Sequence, residues 1–116
     1  MSETNELFAT VNYIKSKVDT LEKIELFRMR EDQEQKQKYL DFFESDEALR
    51  IVYKEINGVK GQREIAQITN LNEMRVSRIV KKLEKKGLIE FLKMDGKSKI
   101  YIHTVIEKAY HFCKIL

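Results

Sequence analysis

The sequence predicts a mainly α-helical chain with one small β-hairpin, and three observations predict it. Between Gly61 and Lys86 two apolar stripes recur at helical spacing, one on each side of a turn at Thr69-Asn70. After Gly87 the period changes, and two short strand-like runs, Leu88 to Lys93 and Lys99 to Thr104, flank Asp95-Gly96, a pair suited to the positive φ of a hairpin turn. Proline is absent from the 116 residues, so helix ends rest on Gly, Asn and Ser. A short helix, a tight turn, a longer basic helix and a hairpin follow one another, a helix-turn-helix pattern. Its second helix offers Arg75, Ser77, Arg78, Lys81 and Lys82 on the face opposite its apolar stripe, as expected where a helix meets a polyanion.

Taken in order, residues 5–28 read as one amphipathic helix. Leu7, Val11, Ile14, Val18 and Leu21 alternate steps of four and three, a heptad seam. The seam then reaches Glu25 and Arg28, while Ile24 and Phe27 carry an apolar stripe onward in shifted phase. Such a face needs a cover, and the same helix of a second subunit supplies one; packing on the chain's own domain is the plainer alternative. Residues 30–38, REDQEQKQK, are polar all round and read as an exposed continuation of the helix or a connector. Tyr39, Leu40, Phe42 and Phe43 form an apolar cluster that wedges this arm against the rest. Ser45 is the expected cap of the next helix, with Asp46 and Glu47 complementing its dipole and Leu49, Val52, Tyr53 and Ile56 on its buried face.

The short helix carries Ile65, Ala66 and Ile68. Asn70 tolerates the left-handed backbone that the turn needs, and Asn72 can cap the long helix. Val76, Ile79, Val80 and Leu83 follow the i, i+3, i+4, i+7 pattern, and Gly87 stands where a helix C-terminus favours glycine. Thr104 and Glu107 have the spacing of a capping box opening a final helix, TVIEKAYHFCKIL. Its apolar residues, Ala109 and Phe112 among them, are expected to pack on the N-terminal helix at a subunit contact. The division is thus an N-terminal helical arm at 1–44, a central domain at 45–104 and a C-terminal helix at 105–116.

Composition bounds the function. With 42% hydrophobic and 35% charged residues the chain is of soluble, globular character, and no apolar run approaches a membrane span. The start, MSETNEL, lacks the layout of a signal peptide, so a cytoplasmic, nucleoid-associated protein is expected. Residues 1–45 hold 7 Lys/Arg against 10 Asp/Glu, whereas residues 46–104 hold 13 against 8. Positive charge is concentrated on the helix-turn-helix, as when one surface meets phosphate, although Lys/Glu-rich helices can simply be solvated. Two histidines, a lone Cys113 and no Gly-rich phosphate loop argue against an enzyme, and no cofactor is expected. Glu107 and His111, at i, i+4, form the one weak metal-ligand pattern, and a helical polar pair explains it as well.

The run LNEMRVSRIVKKLEKKGLIEFLKMDGKSKIYIH resembles the winged-helix transcriptional regulators, in particular the MarR-like and ArsR-like groups. The matching pieces are REIA, VSRIVKKLEKKGLI, the MDGKSK wing and IYIH, and the resemblance covers about half the chain, residues 46–104. It implies a winged helix-turn-helix domain reading duplex DNA through its second helix, to which the heptad seam adds an N-terminal dimerisation helix. Asn72, Glu73, Met74, Arg75, Ser77 and Arg78 are then expected to reach furthest into the major groove. Arg75 and Arg78 suit guanine, since a guanidinium bonds O6 and N7 together. Asn72 serves equally as a cap. Gln62, Arg63, Lys81 and Lys82 suit phosphates, with Lys85 and Lys86 further along and two of the four lysines expected to face DNA. Lys93, Lys97, Ser98 and Lys99 belong to the wing.

The expected function is a sequence-specific, double-stranded DNA-binding transcriptional regulator, a repressor, acting as a homodimer through Leu7, Val11, Ile14, Val18, Leu21, Ala109 and Phe112. A sequence-tolerant architectural DNA-binding protein and a winged-helix protein-interaction module are the alternatives. The residues identify no small-molecule or metal effector.

Overall fold

A computed structural model describes residues 2–116, with side chains at 15 and from 17 onward. The first helix, α1 (Ser2–Glu31), is long, and Arg28 and Arg30 complement the negative end of its dipole. It stops at Asp32, whose backbone is non-helical and whose side chain accepts from the Gln35 amide (2.9 Å), capping α2 (Gln33–Glu44). Residues 30–38 are therefore neither a continuation nor a connector. One helix ends and the next begins inside them.

Helix α2 delivers the aromatic wedge. Phe43 is fully buried, and Tyr39, Leu40 and Phe42 pack beside it. The side chain of Asp46, not Ser45, caps α3 (Glu47–Glu55) by accepting from the Ala48 amide at 3.0 Å. Ser45 instead closes α2, and its hydroxyl donates to the Phe42 carbonyl. Leu49, Val52, Tyr53 and Ile56 are buried as their spacing requires. Next come α4 (Gln62–Thr69) and a left-handed Asn70 (φ 58°), then α5 (Glu73–Lys85), capped by the Asn72 side chain on the Met74 amide at 2.7 Å. Ile65 and Ala66 enter the core, but Ile68 is exposed. Val76, Ile79, Val80 and Leu83 form the buried stripe of α5.

The end of α5 is a Schellman motif. Gly87 (φ 76°) donates to the Glu84 carbonyl and Leu88 to that of Leu83, satisfying carbonyls that the helix leaves open. The hairpin follows, with β1 (Ile89–Asp95) antiparallel to β2 (Ser98–His103) and its turn reduced to Gly96-Lys97. A bulge between Phe91 and Lys93 leaves Leu92 unpaired, and Gly61, just before α4, bridges to Ile100 on the far edge of β2.

The C-terminal segment departs most from expectation. Thr104 makes no side-chain cap; its hydroxyl donates to the Gly87 carbonyl at 2.6 Å. Glu107 does not close a capping box, because its carboxylate accepts from the Tyr53 hydroxyl and the Cys113 amide, both at 2.8 Å. The expected single helix is broken at a left-handed His111 (φ 53°) into α6 (Val105–Tyr110) and α7 (Phe112–Ile115). That break turns Phe112 into the aromatic cluster, with ring centroids 5.3 Å from Phe43 and 6.0 Å from Tyr39. Phe112 is wholly buried and Ala109 nearly so, so neither has surface left for a second subunit, contrary to expectation. Helix α6 does pack on α1, within one chain, where Lys108 meets Glu22 at 2.7 Å. The expected seam residues Leu7, Val11 and Ile14 lie outside the described side chains. Val18 and Leu21 are described and are exposed.

Candidate nucleic-acid interface

The stripe that buries Val76, Ile79, Val80 and Leu83 fixes the rotation of α5, and with it the outward face. Asn72, Glu73, Met74, Arg75, Arg78, Lys81 and Lys82 are exposed there, with Ser77 half-buried among them. Two recesses flank this face. The first, of about 370 Å³, runs between α5 and the hairpin and is lined by Gln62, Arg63, Ser77, Lys81, Lys97 and Lys99, together with Glu73, Met74, Ser98 and Tyr101. The second, of about 500 Å³, lies toward α3 and is lined by Asp46, Asn72, Met74, Arg75, Arg78, Ile79 and Lys82.

Charge on this face is not uniformly positive. Arg63 Nε stands 3.6 Å from Glu73 Oε1, and Arg75 Nη2 stands 3.4 Å from Asp46 Oδ1. All four side chains are at least a third exposed, so each pair orients an arginine more than it stabilises the fold. Asn72, read as base contact or cap, is engaged as the cap. Lys85 and Lys86 turn away from the two recesses. They line a third hollow with Lys38, Tyr39 and Phe42 of α2, and Lys86 Nζ sits 5.3 Å above the Phe42 ring. Lys93 is exposed on β1 but lines neither recess of α5.

An exposed helix face, a flanking basic hairpin and a short helix held across them by the Asn70 turn are together the layout of a DNA reader. Residues 49–90 match the family model for winged helix-turn-helix DNA-binding domains. These residues form a winged helix-turn-helix domain. There α5 is the second helix of the motif, and the β1–β2 hairpin follows it in the position of the wing. Among solved structures, a double mutant of Lactococcus lactis ZitR in its apo form is similar over 99% of this chain and 70% of that one, at 19% identity and a TM-score of 0.44. No curated protein matches the chain.

Three contributors to the winged helix-turn-helix surface carried no clear sequence signal. Tyr101 sits in the wing-side recess, and burial, then the nearby Glu84 charge, raises its hydroxyl pKa. Gly61 lets the wing approach α4, since a Cβ there would stand 2.0 Å from Ser98 Oγ. Asp46 was legible as a dipole partner, but not as a neighbour of Arg75, 29 residues away.

The other titratable groups are structural. His103 Nε2 is 2.8 Å from the Tyr53 carbonyl oxygen and its ring stacks on Tyr53 at 4.2 Å. Burial, reinforced by the hydrogen bond to Glu107, raises the Tyr53 hydroxyl pKa far above its ordinary value; burial and Glu107 push the Cys113 thiol up to about 12. Among the described residues no three His, Cys, Asp or Glu side chains gather as a metal site, and Glu107 is occupied by Tyr53 and Cys113. No described helix is long and apolar enough to cross a membrane.

Proposed function

We propose that this protein is a sequence-specific regulator of transcription that binds duplex DNA as a homodimer and acts as a repressor. One observation carries the reading: Arg75, Arg78, Lys81 and Lys82 share the exposed face of the recognition helix, while Lys97 and Lys99 of the wing flank one side of it. Base-edge donors at the helix's N-terminal half and phosphate-seeking lysines at its C-terminal half and on the wing are the two kinds of contact that sequence reading requires. In the bound state Arg75 and Arg78 contact bases, and Gln62, Arg63, Lys81, Lys82, Lys97 and Lys99 hold the backbone. A winged-helix domain covers one half-site, so two copies on successive major grooves read an inverted repeat.

The test is selection from a random duplex pool by the purified protein at near-physiological salt. Enrichment of an inverted repeat with half-sites about ten base pairs apart supports a dimeric, sequence-reading regulator. A retained but unenriched pool means sequence-tolerant architectural binding, and no retention sinks DNA binding altogether. Repression then follows if the selected site, placed across a promoter, lowers transcription in a purified system.

A further inference from the structure

The second recess beside the recognition helix holds three cations, Arg75, Arg78 and Lys82, and a single carboxylate, Asp46. Asp46 is anchored before it meets Arg75, because its Oδ1 accepts from the Ala48 amide at 3.0 Å as the N-cap of α3. The same oxygen lies 3.4 Å from Arg75 Nη2. A carboxylate fixed by a helix cap is a rigid post, whereas the Glu73 that faces Arg63 at 3.6 Å is an exposed side chain. A carboxylate at a DNA-facing surface also repels phosphate whatever the sequence, so its presence weakens backbone binding.

Resting on the DNA-reading function proposed above, we infer that Asp46 is a positioning residue for base discrimination: it holds the Arg75 guanidinium on the α3 side of the recognition helix. One end of the fork is tethered and the remaining N–H donors stay free for a base edge. A tethered arginine meets a matching guanine with less ordering left to do. It also reaches a stray phosphate less easily than a free one. Asp46 thus lowers affinity for DNA at large while raising preference for the matching site, a trade between affinity and specificity.

The two effects have opposite signs, which a merely structural role would not produce. The experiment measures affinity for the selected duplex and for a scrambled duplex, using the full chain and its Asp46→Ser, Asp46→Asn, Arg75→Ala and Asp46→Ser/Arg75→Ala variants. Serine preserves the cap of α3 but is too short to reach Arg75, and asparagine preserves both cap and acceptor. Asp46→Ser is expected to bind scrambled DNA as well as or better than the parent, while the preference ratio falls about tenfold, the scale of one base contact. Asp46→Asn should keep most of the ratio, and the double variant should discriminate no worse than Arg75→Ala. An unchanged ratio in Asp46→Ser, an equal loss on both duplexes, or additive losses in the double variant would each overturn the inference. A parent protein that discriminates while Asp46→Ser does so equally removes the inference alone; a parent without any preference removes the DNA-reading function as well.

Discussion

Arg78 and Lys97 are both exposed cations, yet their surroundings assign them different work. Arg78 rises from the middle of α5 into the recess shared with Arg75 and Lys82, whereas Lys97 is at the tip of the wing turn. In the proposed complex the first meets a base edge and the second the backbone. Arg78→Ala should therefore cost about 1–3 kcal/mol on the selected site and relax preference at one base position. Lys97→Ala should weaken every sequence alike and reduce the salt slope by about one unit. Binding titrations over a salt series check both, and an identical salt slope in parent and both variants would reassign these residues. Cys113 gives a prediction of another kind. With its thiol pKa raised from 9.0 to about 12, the folded state holds the proton more tightly than the unfolded chain. Its stabilising contribution is complete below about 9 and is lost as pH climbs toward 12, and the raised Tyr53 hydroxyl acts in the same direction. Denaturant titrations should show stability falling across that alkaline window, and Cys113→Ser should flatten the fall. At pH 8 the folded thiol should react with a disulfide reagent more slowly than in urea, since only the thiolate attacks and burial keeps it protonated.

The elements divide by how local their causes are. Helix α5 was legible from end to end because its apolar period, Asn72 cap and Gly87 stop all lie in adjacent sequence and agree. The break at Asp32 was hidden in a polar run where Asp is one acceptor among many, and His111 adopts a left-handed backbone with no glycine to announce it. The capping-box spacing of Thr104 and Glu107 misled because both side chains found distant partners, Gly87 and Tyr53, that no local pattern encodes. The wing's seating is equally non-local. Gly61 bridges to Ile100, and its missing Cβ leaves room for Ser98, whose buried hydroxyl finds no hydrogen-bond partner among the described residues. Gly61→Ala should accordingly destabilise the domain by about 1–3 kcal/mol through overpacking. Ser98→Ala should not rescue it, because the Ser98 Cβ would still lie 2.8 Å from the new methyl; Ser98→Gly should recover much of the loss. Thermal melts of the parent, the single variants and the two double variants check this, and additive losses in Gly61→Ala/Ser98→Gly would show that another contact is responsible.

At the scale of the molecule, one feature of α1 has no cover among the described residues. Leu26 and Met29 pack against the core, but Val18, Leu21, Ile24 and Phe27 are 56%, 65%, 47% and 66% exposed. Four large apolar side chains on one helix are an unusual load for water to carry. Val18 and Leu21 belong to the heptad seam that begins at Leu7, and Ile24 and Phe27 carry the stripe onward in shifted phase. The C-terminal helices cannot supply the cover, since Ala109, Tyr110 and Phe112 are committed to the chain's own core. A second α1 can, because a heptad seam is self-complementary and a two-fold axis matches that of an inverted repeat. Leu21→Glu/Phe27→Glu would place carboxylates without partners on that apolar stripe where a second α1 covers it, at a cost on the order of 3 kcal/mol or more. Sedimentation equilibrium should then show a parent dimer and a monomeric variant with the same helical content. The variant should bind an isolated half-site as the parent does and lose the extra affinity that a joined pair gains on the full repeat. A parent that sediments as a monomer at micromolar concentration, or a variant that keeps full affinity for the repeat, would mean that α1 covers its apolar face with something other than its own copy.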